Sequence, residues 1–193
     1  MSSAKSLALI ADNVRRFDLD GIWLRDDEFY IDRERVAAIC EGIIAEDLNI
    51  RFYTSGTRID VFLKASDSQI AALRRAGAHT IKLGAESGSQ RILDLMNKGI
   101  TVEQILDVNR LCRRHGIIPA YSRMIGYPTE TFEDIDRTID LGFRLLRENP
   151  QAQLEAIAIF TPIPGTPSFD LCLQNGLVPP GSLEGWADWT FDD

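Results

Sequence analysis

The chain has 193 residues, of which 45% are hydrophobic and 26% charged, which predicts one globular domain over residues 1–193 and excludes a disordered chain. With 21 basic and 29 acidic residues its formal net charge is −8, so it repels phosphate backbones and we expect no nucleic acid partner. No apolar run approaches the roughly 20 residues of a membrane span, and the N-terminal residues lack the order of a secretory signal, so we expect a cytoplasmic protein.

Helical and strand patterns alternate along the whole chain. In chain order they predict a helix over 3–17, a strand over 21–25, a helix over 33–46, a strand over 50–54, a helix over 66–77 and a strand over 80–83. They then predict a short helix to about Met96, a helix over 101–116, a strand over 117–125, a helix after Thr131, a strand over 154–160 and a helix over 167–176.

Capping residues mark the starts of several predicted helices. Asp32 is the expected N-cap of the second helix, and capping boxes are formed by Ser66 with Gln69 and by Thr101 with Gln104. The helix after Thr131 carries an apolar series at helical spacing. The members of that series are Ile135, Ile139, Phe143 and Leu146.

The alternation predicts a parallel sheet with helices outside it, because parallel strands need crossover connections. One leading helix and five strand–helix units are fewer than a closed eight-stranded barrel contains, and such a barrel typically needs about 250 residues. We therefore predict an α/β fold that is a partial, open parallel β/α barrel of the TIM-barrel type. Because the chain starts on a helix, we also expect that the first strand of the barrel is missing.

Polar, glycine and proline residues follow every predicted strand. In parallel β/α folds functional groups gather at the carboxyl ends of the strands, so we expect the site there. Carboxylates accept hydrogen bonds from an ammonium group or from ribose hydroxyls, and glycines let the backbone approach a flat ring. This edge suits a small ligand with a cationic amine, a sugar diol and a base. Its segments are 25–28, 54–58, 84–88, 126–130 and 161–167.

Some of these residues also have a purely structural interpretation. Asp26 and Asp27 could end a strand and cap the next helix, and for Asp27 this structural role is as compatible with the sequence as a binding role. Glu86 is compatible with a solvated loop charge, although the glycines that flank it favour a packed functional turn. The sequence around Pro164 and Gly165 is compatible with a structural turn.

Four stretches of the chain occur in the order IWLRDDEF, LGAESGSQRILDLMNKGITVEQI, MIGYPTETFEDIDRTIDL and FTPIPGTPSFD. Together they resemble the radical S-adenosylmethionine enzymes. The sequence is most similar to the branch that often carries an upstream cobalamin-binding domain, and more widely to methylthiotransferases and oxygen-independent coproporphyrinogen oxidases. Each stretch is modest alone, but four in the correct order over about residues 20–170 make a specific match.

The resemblance implies roles for residues at the first strand ends. Asp26 and Asp27 match the segment that binds the amino group of S-adenosylmethionine. Glu86 and Ser87 match the strand-end position that contacts the ribose or the carboxylate of the same cofactor. These four positions therefore represent the expected polar half of a cofactor site.

The later segments match the adenine half of that site. Ile125 and Gly126 correspond to the strand whose backbone packs along the adenine, and Glu130 lies in the glycine–glutamate loop that follows. Pro164 and Gly165 match the last-strand loop that closes around the adenine. The resemblance does not assign a catalytic residue within this chain.

The resemblance also implies a [4Fe–4S] cluster whose ligands this sequence does not supply. The family holds it with C-x-x-x-C-x-x-C after the first strand, whereas Cys40, Cys112 and Cys172 are scattered over three predicted helices. A cluster needs thiolates that converge on one small site, so we expect no metal ligands here. We expect an N-terminally truncated core, and cobalamin is implied only through a missing upstream domain.

Three functional hypotheses follow. The first is a radical S-adenosylmethionine enzyme core, in which a cluster and a reductant generate a 5′-deoxyadenosyl radical that abstracts hydrogen from an unidentified small substrate. As this chain stands, we expect that chemistry to be inactive. The second is a degenerate relative that keeps the cofactor pocket or the scaffold without catalysis. The third is an unrelated β/α-barrel enzyme with acid–base carboxylates, which would turn over without iron.

Overall fold

The computed structural model describes residues 1–187 and 189, so the domain predicted over 1–193 extends past the described residues. Five parallel strands form one sheet in the order of the chain. The strands are β1 (Gly21–Leu24), β2 (Arg51–Thr57), β3 (Ala78–Glu86), β4 (Ile118–Ile125) and β5 (Gln153–Ile159).

One helix precedes the strands, and the other helices connect them or follow the last one. They are α1 (Ser3–Phe17), α2 (Arg33–Ala45), α3 (Ile59–Phe62), α4 (Asp67–Arg75), α5 (Gln90–Leu95), α6 (Val102–His115), α7 (Phe132–Glu148), α8 (Pro167–Gln174) and α9 (Leu183–Ala187), with a 3-10 turn at Phe29–Ile31. The prediction of a partial, open parallel β/α barrel after a leading helix is confirmed. No helix among the described residues is long and apolar enough to cross a membrane.

Strand β3 shows how the sheet contributes to the core. Its alternate side chains Ile81, Leu83 and Ala85 are fully buried against the helices, as the two-residue period of a strand requires. Burial of Ile81 and of Leu83 contributes about 1.5–3 kcal/mol each relative to the exposed side chain. The strand also runs to Glu86, three residues past the predicted end, and so brings that carboxylate to the edge of the sheet.

The predicted helix caps are present. The Ser66 hydroxyl accepts from the Gln69 amide at 3.2 Å, and the Gln69 side chain accepts from the Ser66 amide at 2.9 Å. Thr101 and Gln104 make the same reciprocal pair at 3.2 and 2.8 Å. Asp32 accepts from the Arg35 amide at 3.0 Å and starts α2. Because helix starts leave backbone N–H groups unpaired, these bonds fix where the helices begin.

Helix α7 leaves most of the apolar series noted in its sequence on the outside, and Phe143 is 60% exposed. The buried side begins with polar residues, because its first turns face the loop after β3, whose serine and glycine residues bond to Asp134 and Thr138. The residues on this buried side are Asp134, Thr138, Leu141, Gly142 and Leu145.

Candidate functional site

The structure places all nine predicted site residues at the ends of strands, along one edge of the sheet. We call this edge, formed by residues 25–28, 57–58, 86–89, 125–130 and 160–167, the carboxyl edge. Parallel pairing in sequential order brings these five segments side by side. A chain of hydrogen bonds then joins each segment to the next.

The two aspartates after β1 have different surroundings. Asp26 accepts from the Arg35 guanidinium of α2 at 3.3 Å, and the same guanidinium contacts Ser6 of α1. The Asp26 carboxylate is therefore already paired with Arg35 of α2. Asp27 is exposed, and its carboxylate has no hydrogen-bond or ion-pair partner among the described residues. Of these two carboxylates, Asp27 is the one available to a cationic group.

Glu28, the next residue, joins the ends of β1 and β2. Its carboxylate accepts from the backbone amides of Arg58, at 2.7 Å, and Tyr30, at 3.2 Å. Burial raises the pKa of Glu28, while those two amides oppose the shift. Glu28 was not among the predicted site residues, although its position beside two aspartates was a signal that could have identified it.

Glu86 is held at the end of β3 by an unusual backbone conformation and by an ion pair. Its φ is +59°, in the left-handed region that few residues other than glycine adopt. The buried carboxylate accepts from the Lys98 ammonium at 2.9 Å. A Cβ on Gly84 would lie 2.5 Å from this carboxylate, so the glycine leaves the space that the carboxylate fills.

Lys98 in turn links β3 to β2, because its carbonyl accepts from the Arg58 guanidinium at 3.2 Å. Nothing in the sequence predicted this role, since Lys98 lies twelve residues after Glu86 in an unremarkable loop. Together these contacts place the Glu28 and Glu86 carboxylates on one hydrogen-bonded strip across the first three strands.

Ser87 faces away from solvent and contacts α7. Its fully buried hydroxyl shares a hydrogen bond with the Thr138 hydroxyl at 3.1 Å and accepts from the Ser89 amide at 3.0 Å. The Ser89 hydroxyl donates to the buried Asp134 carboxylate at 2.5 Å. These bonds hold the loop after β3 in place, and they occupy the side chain of Ser87.

A tight turn follows β4. The Glu130 carboxylate accepts from the amides of Gly126, at 2.5 Å, and Tyr127, at 3.3 Å. Its second oxygen, Oε1, is buried and has no partner within the part of the chain that the structure describes. Buried polar atoms are normally paired, so an unpaired acceptor at a strand end fits a ligand donor.

The loop after β5 packs beside that turn. The Phe160 amide donates to the Ile125 carbonyl at 2.8 Å, and the Tyr127 and Phe160 rings are 4.7 Å apart. The Tyr127 hydroxyl lies 2.8 Å from that of Ser168, at the start of α8. Pro164 and Gly165 form the exposed end of this loop. The structure therefore brings the β4 and β5 segments together.

The cysteines do not form a cluster site. Cys40 of α2 and Cys112 of α6 are buried, and burial raises the pKa of each thiol to about 12. Cys172 lies on α8. Among residues 1–187 and 189, no group of three or more histidine, cysteine or acidic side chains is arranged to hold a metal ion. The described residues therefore do not fit a [4Fe–4S] cluster.

Comparison with known sequences identifies similar proteins. The sequence profile of the radical S-adenosylmethionine superfamily matches residues 3–142. The chain is 32% identical over 168 residues to an uncharacterized methyltransferase of Pyrococcus horikoshii, covering 87% of this chain and 34% of that protein. It is 29% identical over 152 residues to the anaerobic magnesium-protoporphyrin IX monomethyl ester cyclase of Rubrivivax gelatinosus, covering 78% and 26%. The chain thus spans about a third or less of these relatives.

A solved structure shows the same fold. The cobalamin-dependent S-adenosylmethionine radical enzyme OxsB, with aqua-cobalamin and S-adenosylmethionine bound, superimposes with a TM-score of 0.67 at 21% identity. The match covers 89% of this chain and 25% of OxsB. Likeness at this level of identity establishes the architecture of the sheet and helices.

Proposed function

Because this chain belongs to the radical S-adenosylmethionine superfamily, we propose that its carboxyl edge binds S-adenosylmethionine as part of an enzyme core for radical chemistry. The observation that carries the proposal is the buried Glu86 carboxylate. It is held by a left-handed backbone and by Lys98, in space that Gly84 leaves free. A strained, buried acid at a strand end is typical of a binding site rather than of a solvated loop.

Each predicted residue has a role in this proposal. Glu86 accepts hydrogen bonds from the ribose hydroxyls, and Asp27 accepts them from the cofactor's ammonium group. Ser87 holds the loop next to Glu86 in place through its bonds to Thr138 and Ser89. Asp26, bonded to Arg35, fixes the turn on which Asp27 lies.

The remaining residues form the adenine side of the site. The backbone of Ile125 and Gly126 lies along the adenine, and Glu130, through Oε1, accepts from a donor on the ligand. Pro164 and Gly165 close the site from the β5 side. The packing of Tyr127 against Phe160 supports this arrangement, because it holds the two loops next to each other.

In the proposed enzyme, a [4Fe–4S] cluster would supply the reducing chemistry. Its ligands would come from outside the described residues. What this chain's own residues contribute is binding and orientation of S-adenosylmethionine. A cobalamin cofactor, a reductant and a small-molecule substrate are proposals for the whole protein, and its substrate is not specified by these residues.

Titration calorimetry with S-adenosylmethionine tests the proposal directly. Glu86→Gln keeps the size of the side chain but removes the charge, and bonds to charged groups contribute about 1.5–3 kcal/mol, so we expect affinity to fall about tenfold or more. Glu133→Gln is the matched control, because Glu133 is an exposed α7 residue that pairs with the exposed Arg137. Absence of binding by the unaltered chain, or equal affinities for all three proteins, would refute the proposal.

A second candidate is cofactor binding without cleavage, which the placement of the three cysteines on separate helices favours. Anaerobic incubation with iron, sulfide, dithionite and S-adenosylmethionine discriminates the two. Formation of 5′-deoxyadenosine by the 193-residue chain would contradict the binding-only candidate. Calorimetric binding with no such product would support it.

A further inference from the structure

We infer that Arg91 is a positioning residue that clamps the turn after β4 to the loop after β3. This inference rests on the proposed function, because it explains how the two loops proposed to surround the adenosyl group keep a fixed relative position. Arg91 lies on α5, two residues after Ser89, so it is attached directly to the β3 loop.

The turn that Arg91 contacts has a strained backbone conformation. The Glu130 amide donates to the Tyr127 carbonyl at 2.9 Å, which closes a four-residue turn with Pro128 and Thr129 in the centre. Thr129 has a φ of +67°. A positive φ at the third position of a turn favours glycine or asparagine, and a β-branched residue there is strained.

The Arg91 guanidinium bonds to this strained residue twice. One N–H donates to the Thr129 carbonyl at 2.8 Å and another to its hydroxyl at 3.3 Å. Within the described chain, no other residue from outside the turn bonds to the backbone of 127–129. The planar guanidinium presents its donors in a fixed geometry, so two bonds fix the orientation of Thr129 and not only its distance.

Asp134 holds the guanidinium in this position. Its buried carboxylate also accepts from Arg91, from the Ser89 hydroxyl at 2.5 Å and from the Thr131 amide at 3.0 Å. The pKa of the Asp134 carboxyl is lowered most by the bond with Arg91, and the bond from Ser89 lowers it further. The β3 loop, the β4 turn and the first turn of α7 are therefore joined through one ionised carboxylate.

The Arg91 contact affects Glu130, which directly follows Thr129. The Glu130 carboxylate reaches back to the amides of Gly126 and Tyr127, so its position depends on the conformation of the turn. Arg91 does not need to touch the ligand to affect binding. If the clamp is lost, the turn samples other conformations, and the Glu130 and Gly126 groups are less often in place for the adenosyl group.

Hydrogen exchange measured by NMR tests the clamp without any ligand. In Arg91→Gln we expect the amides of Gly126, Tyr127 and Glu130 to exchange about five- to tenfold faster, because a half-exposed charged hydrogen-bond pair is lost. Arg91→Lys should be intermediate, since an ammonium can replace one bond but not the planar pair. The control Arg137→Gln removes an exposed arginine of α7 and should leave these amides unchanged.

Binding then tests the consequence. In Arg91→Gln we expect the affinities for S-adenosylmethionine and for 5′-deoxyadenosine to fall by the same factor, about five- to tenfold, because both carry the adenosyl group. A merely structural role would lower the melting temperature and leave these affinities and the local exchange rates unchanged, which would overturn the inference. If the unaltered chain binds neither ligand, the proposed function is refuted. The exchange rates still test the Arg91 clamp, because they are measured without a ligand.

Discussion

Replacing Gly88 with alanine tests the packing of the β3 loop on α7. A Cβ at this position would lie 2.1 Å from the Arg137 carbonyl oxygen and 2.5 Å from its carbon. Both are backbone atoms within a helix, so they cannot move aside as the end of a side chain can. Overpacking of this kind costs about 1–3 kcal/mol, and displacement of the loop breaks the 3.0 Å bond from the Gly88 amide to Thr138, about 1 kcal/mol more.

We therefore expect Gly88→Ala to lower the free energy of unfolding by about 3 kcal/mol. Urea titration followed by circular dichroism at 25 °C measures this change, provided that the slope with urea concentration is unaltered. Gly181→Ala is the matched control, because a Cβ there meets no atom of the described residues within 4 Å. A Gly88→Ala protein with stability within about 0.5 kcal/mol of the control would refute the packing argument.

Two further predictions concern titratable groups. The pKa of Asp134 is lowered in the folded state, so its carboxylate contributes stability above about pH 4 that is lost as the pH falls toward the folded pKa. In urea titrations between about pH 5 and 2 the unaltered protein should lose stability more steeply than Asp134→Asn, and parallel curves would contradict this. Iodoacetamide at about pH 8 should label the partly exposed Cys172 before the two buried cysteines, and peptide mass spectrometry that finds equal labelling would show otherwise.

Local patterns predicted most of the helices and strands. Each capping box joins residues three positions apart, so Ser66 and Thr101 could be recognised with no knowledge of the fold. Parallel pairing then followed from the alternation of strands and helices, and it placed Asp27 and Glu86 on the same edge.

The partners of those residues could not be predicted in this way. Glu28 meets Arg58 across 30 residues, and Arg91 meets Thr129 across 38. Such contacts depend on the path of two loops at once. Neither loop has a periodic pattern from which the direction of its side chains can be predicted. The roles of Lys98 and Arg91 therefore could not be predicted from the sequence.

Helix α7 shows the division between sequence and tertiary structure. The sequence by itself determined that residues after Thr131 form a helix, because the cap and the helical spacing are local properties. Only the tertiary structure decided which side is buried: Asp134 and Thr138 face inward because the β3 loop supplies their hydrogen-bond partners, while Phe143 stays exposed. A buried polar group is stable only when it is paired, and the partner is supplied by a distant part of the chain.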